Sequence, residues 1–212
     1  MTAITINALD LAGRALAAES ARMAGLGWMR GTAGNLSTVL STEPLRLAVT
    51  TSGADKGELT SRDIVVVDAD GRAVPDQPHP EYVPSAEAGL HARIVARTGA
   101  GAVIHVHALS AVLAAHHWPE GVVLRDLEML KGIGHSAHDE DVRAPVIANG
   151  QDMSVLGDAF EKARVPGVPV LLVARHGMYA WGRDLTQARH HAEIIEWLLR
   201  FKIETEIKTG ER

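Results

Sequence analysis

The sequence predicts an α/β protein with a central mixed or antiparallel sheet and helices packed on its faces. Three observations carry this. The chain has 212 residues, 46% of them hydrophobic, which suits one domain spanning residues 1–212 with a sizeable core. Apolar residues recur at helical spacing in some segments and as short strand-like runs in others. The strands do not strictly alternate with helices, which disfavours a doubly wound parallel sheet.

The first element is a helix from Ile6, ended around Gly25–Gly27, with Leu9, Ala12, Leu16 and Met23 on one face. A glycine turn follows, Gly31-Thr32-Ala33-Gly34-Asn35. Two strands come next, Leu36–Leu40 and Leu45–Thr50, then the polar loop from Thr51 to Gly57. Ile64–Asp68 reads as a short buried strand, and Arg72 to Pro84, with four prolines, as irregular loop. Ser85 to Thr98 is expected to be helical, with Ser85 as its cap and Glu87 in its first turn. Gly101–Val106 is a strand and Ser110–His117 a helix stopped by Pro119. Val122–Leu124 is a strand, Asp126–Lys131 a helical turn, and Val142–Ile147 one strand. Gln151–Ala163 is a helix, and Val168–Ala174 and Met178–Trp181 are strands. Asp184 caps a last helix running to about Glu204.

Composition narrows the chemistry. There is no cysteine, so thiolate nucleophiles, disulfides and cysteine-held metals are excluded. Eleven histidines are present, so any transition metal must sit on nitrogen and carboxylate oxygen. Net charge is −5 without a basic tract, which argues against a nucleic-acid partner. The N-terminal stretch lacks the features of a signal peptide. The longest apolar stretch, Val165 to Ala174, is broken by two prolines and a glycine, so no membrane association is expected. The expected setting is the cytoplasm.

Four groups of residues carry possible chemistry. His105 and His107 end a strand, and side chains two apart point the same way. That suits one metal ion, or equally two hydrogen-bonded histidines. His176 ends another strand, and Gly177 beside it allows close backbone approach. Three such histidines leave coordination positions open, the pattern of catalytic rather than structural zinc. The loops Gly31–Ser37 and Thr51–Gly53, with Lys56 nearby, offer bare N–H groups and hydroxyls to an anion, or are ordinary turns. Glu87 and Glu128 are candidate acid–base carboxylates. Their plain alternatives are a helix-terminus charge and an exposed pair with Lys131. His79, His116, His117, His190 and His191 are expected in solvent. His135 and His138 could reach a substrate pocket, without support from spacing.

In order along the chain, GTAGNLS (31–37), TTSG (50–53), PSAE (84–87), HVH (105–107) and HG (176–177) resemble the class II aldolase/adducin family over nearly the whole length. The resemblance implies a three-layer α/β/α sandwich around a mostly antiparallel sheet. It implies one zinc ion per subunit, with other divalent metals alternatives, at the subunit boundary of a homotetramer. His105, His107 and His176 become the metal ligands. Gly34, Asn35, Ser52, Gly53 and Ser85 become the phosphate site, with Lys56 alongside. Finer features are similar to the dehydratases of that family, including Gly27-Trp28, Ser52–Gly57, Leu127–Gly132, Ala144–Asp152 and Trp181-Gly182. They imply a lyase acting on a small phosphorylated ketose, with Glu128 as acid/base. Glu87 is the alternative base or a fourth ligand. A sugar-phosphate aldolase or pentulose-phosphate epimerase is the rival activity. A non-catalytic scaffold could dispense with the histidines, and all three are present.

Overall fold

The computed structural model describes residues 6–75, 77 and 79–207, so two positions of the expected 72–84 loop lie outside the described residues. A seven-stranded sheet has the order β3-β2-β1-β4-β9-β8-β7. Its strands are β1 (Asn35–Thr42), β2 (Leu45–Thr50), β3 (Ile64–Val67), β4 (Ala102–Val106), β7 (Val146–Ile147), β8 (Val170–Val173) and β9 (Gly177–Gly182). Every pairing is antiparallel except β7 with β8. The helices are α1 (Ile6–Gly25), α2 (Ala88–Thr98), α3 (Leu109–His117), α4 (Met153–Ala163) and α5 (Leu185–Lys202).

Alternation along each strand divides the core into two. On β4, Ala102, Ile104 and Val106 join Leu16, Ala111 and Ile195, from α1, α3 and α5. Val103 faces the other way, with Leu90 and Ile94 of α2 and Phe160 of α4. The sheet is therefore sandwiched between two helical layers, the three-layer arrangement expected. Asp152 and Asp184 cap α4 and α5 by accepting backbone N–H bonds in the first turn.

Three boundaries depart from expectation. The stretch 142–147 is not one strand. Pro145 has no N–H to donate, and the chain changes sheet there. Val142–Ala144 (β6) pairs with Val122–Leu124 (β5) in a separate two-stranded sheet, while β7 joins the main one. The helical turn predicted over 126–131 is a 3-10 helix at Glu128–Ile133. Helix α2 starts at Ala88, with Glu87 at the N-cap position. Ser85 does not cap it; its Oγ instead accepts the Glu87 N–H at 3.3 Å.

Two histidines expected in solvent, or not distinguished, belong to the core. His191 is buried and its Nδ1 donates to the Trp181 carbonyl at 2.6 Å. His91 is fully buried with Nδ1 2.7 Å from Ser37 Oγ. Burial pushes His91 down to about 3, and lowers His105 well below its ordinary 6.5. Both stay neutral in the folded chain while the unfolded chain takes up protons as pH falls through 6.5. The sign is therefore a loss of stability on acidification. Metal-free protein should lose stability below pH ~6.5 by up to about 1.4 kcal/mol per pH unit per histidine. Urea unfolding between pH 7 and 5 measures this, and H91F should flatten the slope.

Candidate metal centre and anion pocket

Register builds the centre. Asn35 pairs with His105, and His105 with Tyr179, so the three share one row across β1, β4 and β9. Cross-strand partners present side chains to the same face, here the face that carries α2. His107 lies two residues on, just past β4, and its N–H donates to the Trp28 carbonyl at 2.9 Å. His176 enters from the β8–β9 turn, where Arg175 takes φ of 57°. Gly177 makes the approach possible: a Cβ there would lie 2.3 Å from the Val106 carbonyl oxygen. Gly34 does the same on the other side, with φ of 79° and the His105 carbonyl 2.9 Å from where a Cβ would be.

One nitrogen from each of the three histidines lies within 4.8 Å of the other two. Glu87, at the start of α2, closes the group. Its Oε1 is 3.2 Å from His176 Nε2 and its Oε2 is 3.3 Å from His105 Nε2. Asn35 Nδ2 donates to Oε2 at 2.6 Å and fixes the carboxylate.

The protonation pattern fits a cation. His105 Nδ1 lies 3.0 Å from the Met178 carbonyl oxygen, which can only accept, so Nδ1 carries the proton. Burial keeps this ring neutral, so Nε2 presents a lone pair. That lone pair faces a carboxylate oxygen at 3.3 Å and His107 Nε2 at 2.9 Å. Lone pair against carboxylate is repulsive unless positive charge sits among them. The carbonyl bond to the far nitrogen is also how metal-binding imidazoles are oriented. Burial, and then His176, lower His107 too, which keeps a second ring available as a neutral ligand.

A cavity of about 250 Å³ opens over this group. Gly34, Asn35, Ser52, Gly53, Lys56, Ser85, Glu87, His107 and His176 all line it, so the expected loops and histidines converge. Pairing of Ser52 N–H to the Val83 carbonyl at 2.9 Å holds two of these loops together. Lys56 is buried, and its Nζ donates to the Ala54 carbonyl at 2.6 Å and the Thr32 carbonyl at 3.3 Å. Gln151, just before α4, and Met153, its first residue, also line the cavity, and neither is among the residues expected at the site. Gln151 falls in the Ala144–Asp152 segment that resembles the dehydratases, whereas Met153 lies just past it.

Glu128 stands apart. Its side chain is 70% exposed, paired with Lys131 at 2.7 Å, and it does not line the cavity. The hydrogen bond from Lys131 keeps its carboxyl below the ordinary range. His135 bonds Glu140 at 2.7 Å, and neither it nor His138 lines the cavity.

Three histidines and one carboxylate at the end of an antiparallel sheet, beside a cavity lined by hydroxyls and a lysine, form a group that could hold a metal ion. The chain belongs to the Class II Aldolase and Adducin N-terminal domain family, whose profile matches residues 14–203. Relatives named methylthioribulose-1-phosphate dehydratase are similar over most of the chain. That of Persephonella marina is 37% identical over 177 residues, 82% of this chain and 81% of its own. That of Stenotrophomonas maltophilia is 39% identical over 190 residues, 86% of this chain and 85% of its own. Among solved structures, an L-fuculose 1-phosphate aldolase superposes with a TM-score of 0.71 at 25% identity, covering 94% of this chain and 88% of that one. The Escherichia coli YgbL protein, a putative aldolase/epimerase/decarboxylase, shares the fold at TM-score 0.76 and 20% identity, covering 96% of this chain and 92% of that one. Among the described residues no helix is long and apolar enough to cross a membrane.

Proposed function

We propose that this chain is a zinc-dependent lyase that dehydrates 5-methylthioribulose 1-phosphate to 2,3-diketo-5-methylthiopentyl 1-phosphate, a step of methionine salvage in the cytoplasm. The carrying observation is the grouping of His105, His107 and His176 with Glu87, of which His107, His176 and Glu87 line one cavity together with the loop hydroxyls and Lys56. The names of the relatives support the substrate. His105, His107 and His176 would hold the ion, which when bound supplies a Lewis acid for the ketose C2 carbonyl.

The residues of the chain do the rest. Asn35, Ser52, Gly53 and Ser85 receive the phosphate, with Gly34 letting the loop backbone come close. A carboxylate removes the C3 proton and returns it to the departing C4 hydroxyl. Water leaves, and the enol product tautomerises to the diketone. Glu128 is proposed as this acid/base, brought to the cavity by a neighbouring copy in a homotetramer, since within one chain it faces solvent. A second reading, favoured by the contacts of Glu87 with two histidines, makes Glu87 the base.

Lys56 supplies the positive charge of the phosphate pocket. It has three N–H donors, two of them on backbone carbonyls, and bonds no carboxylate among the described residues. Losing a charge-assisted hydrogen bond costs about 1.5–3 kcal/mol. K56M should therefore raise KM for the phosphorylated ketose by at least about tenfold while zinc content stays the same. Steady-state kinetics with metal analysis checks it; an unchanged KM removes Lys56 from the phosphate site.

A further inference from the structure

Buried polar atoms without hydrogen-bond partners collect around the centre. They include Asn35 Oδ1, His91 Nε2, His176 Nδ1 and the Tyr179 hydroxyl. Such atoms are rare in folded proteins and mark places where something other than stability is being served. Tyr179 combines the most observations. It is fully buried, and its ring stacks on His105 with centroids 4.1 Å apart and planes at 18°. His91 meets its ring edge-on at 5.6 Å. Its hydroxyl lies beside the Glu87 carboxylate yet forms no hydrogen bond of normal geometry.

We propose that Tyr179 is a positioning residue for this centre: its ring fixes the plane of the His105 imidazole, and its hydroxyl is held ready to donate to Glu87. Asn35 Nδ2 already donates to that carboxylate. A second donor from the same cross-strand row would leave the carboxylate one orientation as the ligand set changes around it. The inference rests on Glu87 belonging to the metal centre, as in the proposed function.

Y179F deletes the hydroxyl and keeps the stacked ring. Removing an unpaired buried hydroxyl is neutral or stabilising. The metal-free variant should therefore melt at the same temperature as wild type or higher. Zinc content and KM should be unchanged and kcat should fall about tenfold or more. The absorption spectrum of the cobalt-substituted protein should shift, a readout that needs no substrate. Unchanged kcat with an unchanged cobalt spectrum would overturn the proposal. So would a lower melting temperature with parallel loss of zinc, which is what a purely structural hydroxyl gives. If wild type turns over a different phosphorylated ketose, the substrate assignment fails, and kcat on that ketose is compared instead.

Discussion

H107A should lose its zinc and its activity together. Among the described residues three histidines meet at the centre, and His107 contributes a half-buried ring whose neutral form burial favours. Its Nε2 lies 2.9 Å from that of His105, so alanine leaves a gap in the ligand set that no other described histidine lines. A Lewis-acid metal supplies several kcal/mol of charge stabilisation, and about 4 kcal/mol is a thousandfold in rate. The purified variant should hold far less than one zinc per chain and show activity at least a thousandfold lower. The fold should persist, because His107 lies beyond β4 and outside both apolar cores. Metal analysis with circular dichroism checks this. Full zinc occupancy in the variant would displace His107 from the site.

The second large effect separates the two carboxylates. Loss of a general acid/base costs about 10²–10⁴ in rate. If Glu128 is the base, E128Q should retain zinc and lose turnover by that factor. The variant should also be no less stable, since an exposed pair such as Glu128–Lys131 contributes little. E87Q should alter metal retention first, because Glu87 contacts His105 and His176. In the proposed homotetramer Glu128 would act across a subunit boundary, so mixing E128Q with H107A chains should restore activity that neither has alone. If E87Q abolishes turnover at full zinc occupancy and E128Q does not, the base is Glu87.

Much of the centre was legible because its residues sit in short contiguous motifs. HVH ends an apolar run, HG follows another, and the two loops are rich in glycine and hydroxyls. Strand alternation then dictates that His105 and His107 share a face. What was not legible depends on pairing between distant segments. Tyr179 lies in an ordinary apolar run, and only the register of β9 on β4 puts it opposite His105. The signal was present in principle: Tyr179 and Trp181 alternate along β9 with Met178 and Ala180, on opposite faces. Gln151 and Met153 reach the cavity because β7 crosses to the far edge of the sheet beside β8.

The histidines show the same limit. His190 and His191 are adjacent in α5, yet one is exposed and the other buried, since neighbours on a helix point about 100° apart. Helical spacing identified the apolar stripe but not the polar residue at its margin. Pro145 was the local sign that the 142–147 run divides, because it cannot donate to the ladder. Glu128 carries the opposite lesson. The motif marks it, the single chain leaves it in solvent, and the role proposed for it requires a neighbouring copy.

The central claim is the reaction, and product analysis tests it most directly. Zinc-loaded protein is incubated with 5-methylthioribulose 1-phosphate and the products are identified by mass spectrometry and NMR. Release of one water per ketose, with a methylthio diketone phosphate as sole product, is the predicted result. Formation of dihydroxyacetone phosphate or glycolaldehyde phosphate, or return of an epimeric ketose with no loss of water, would contradict it.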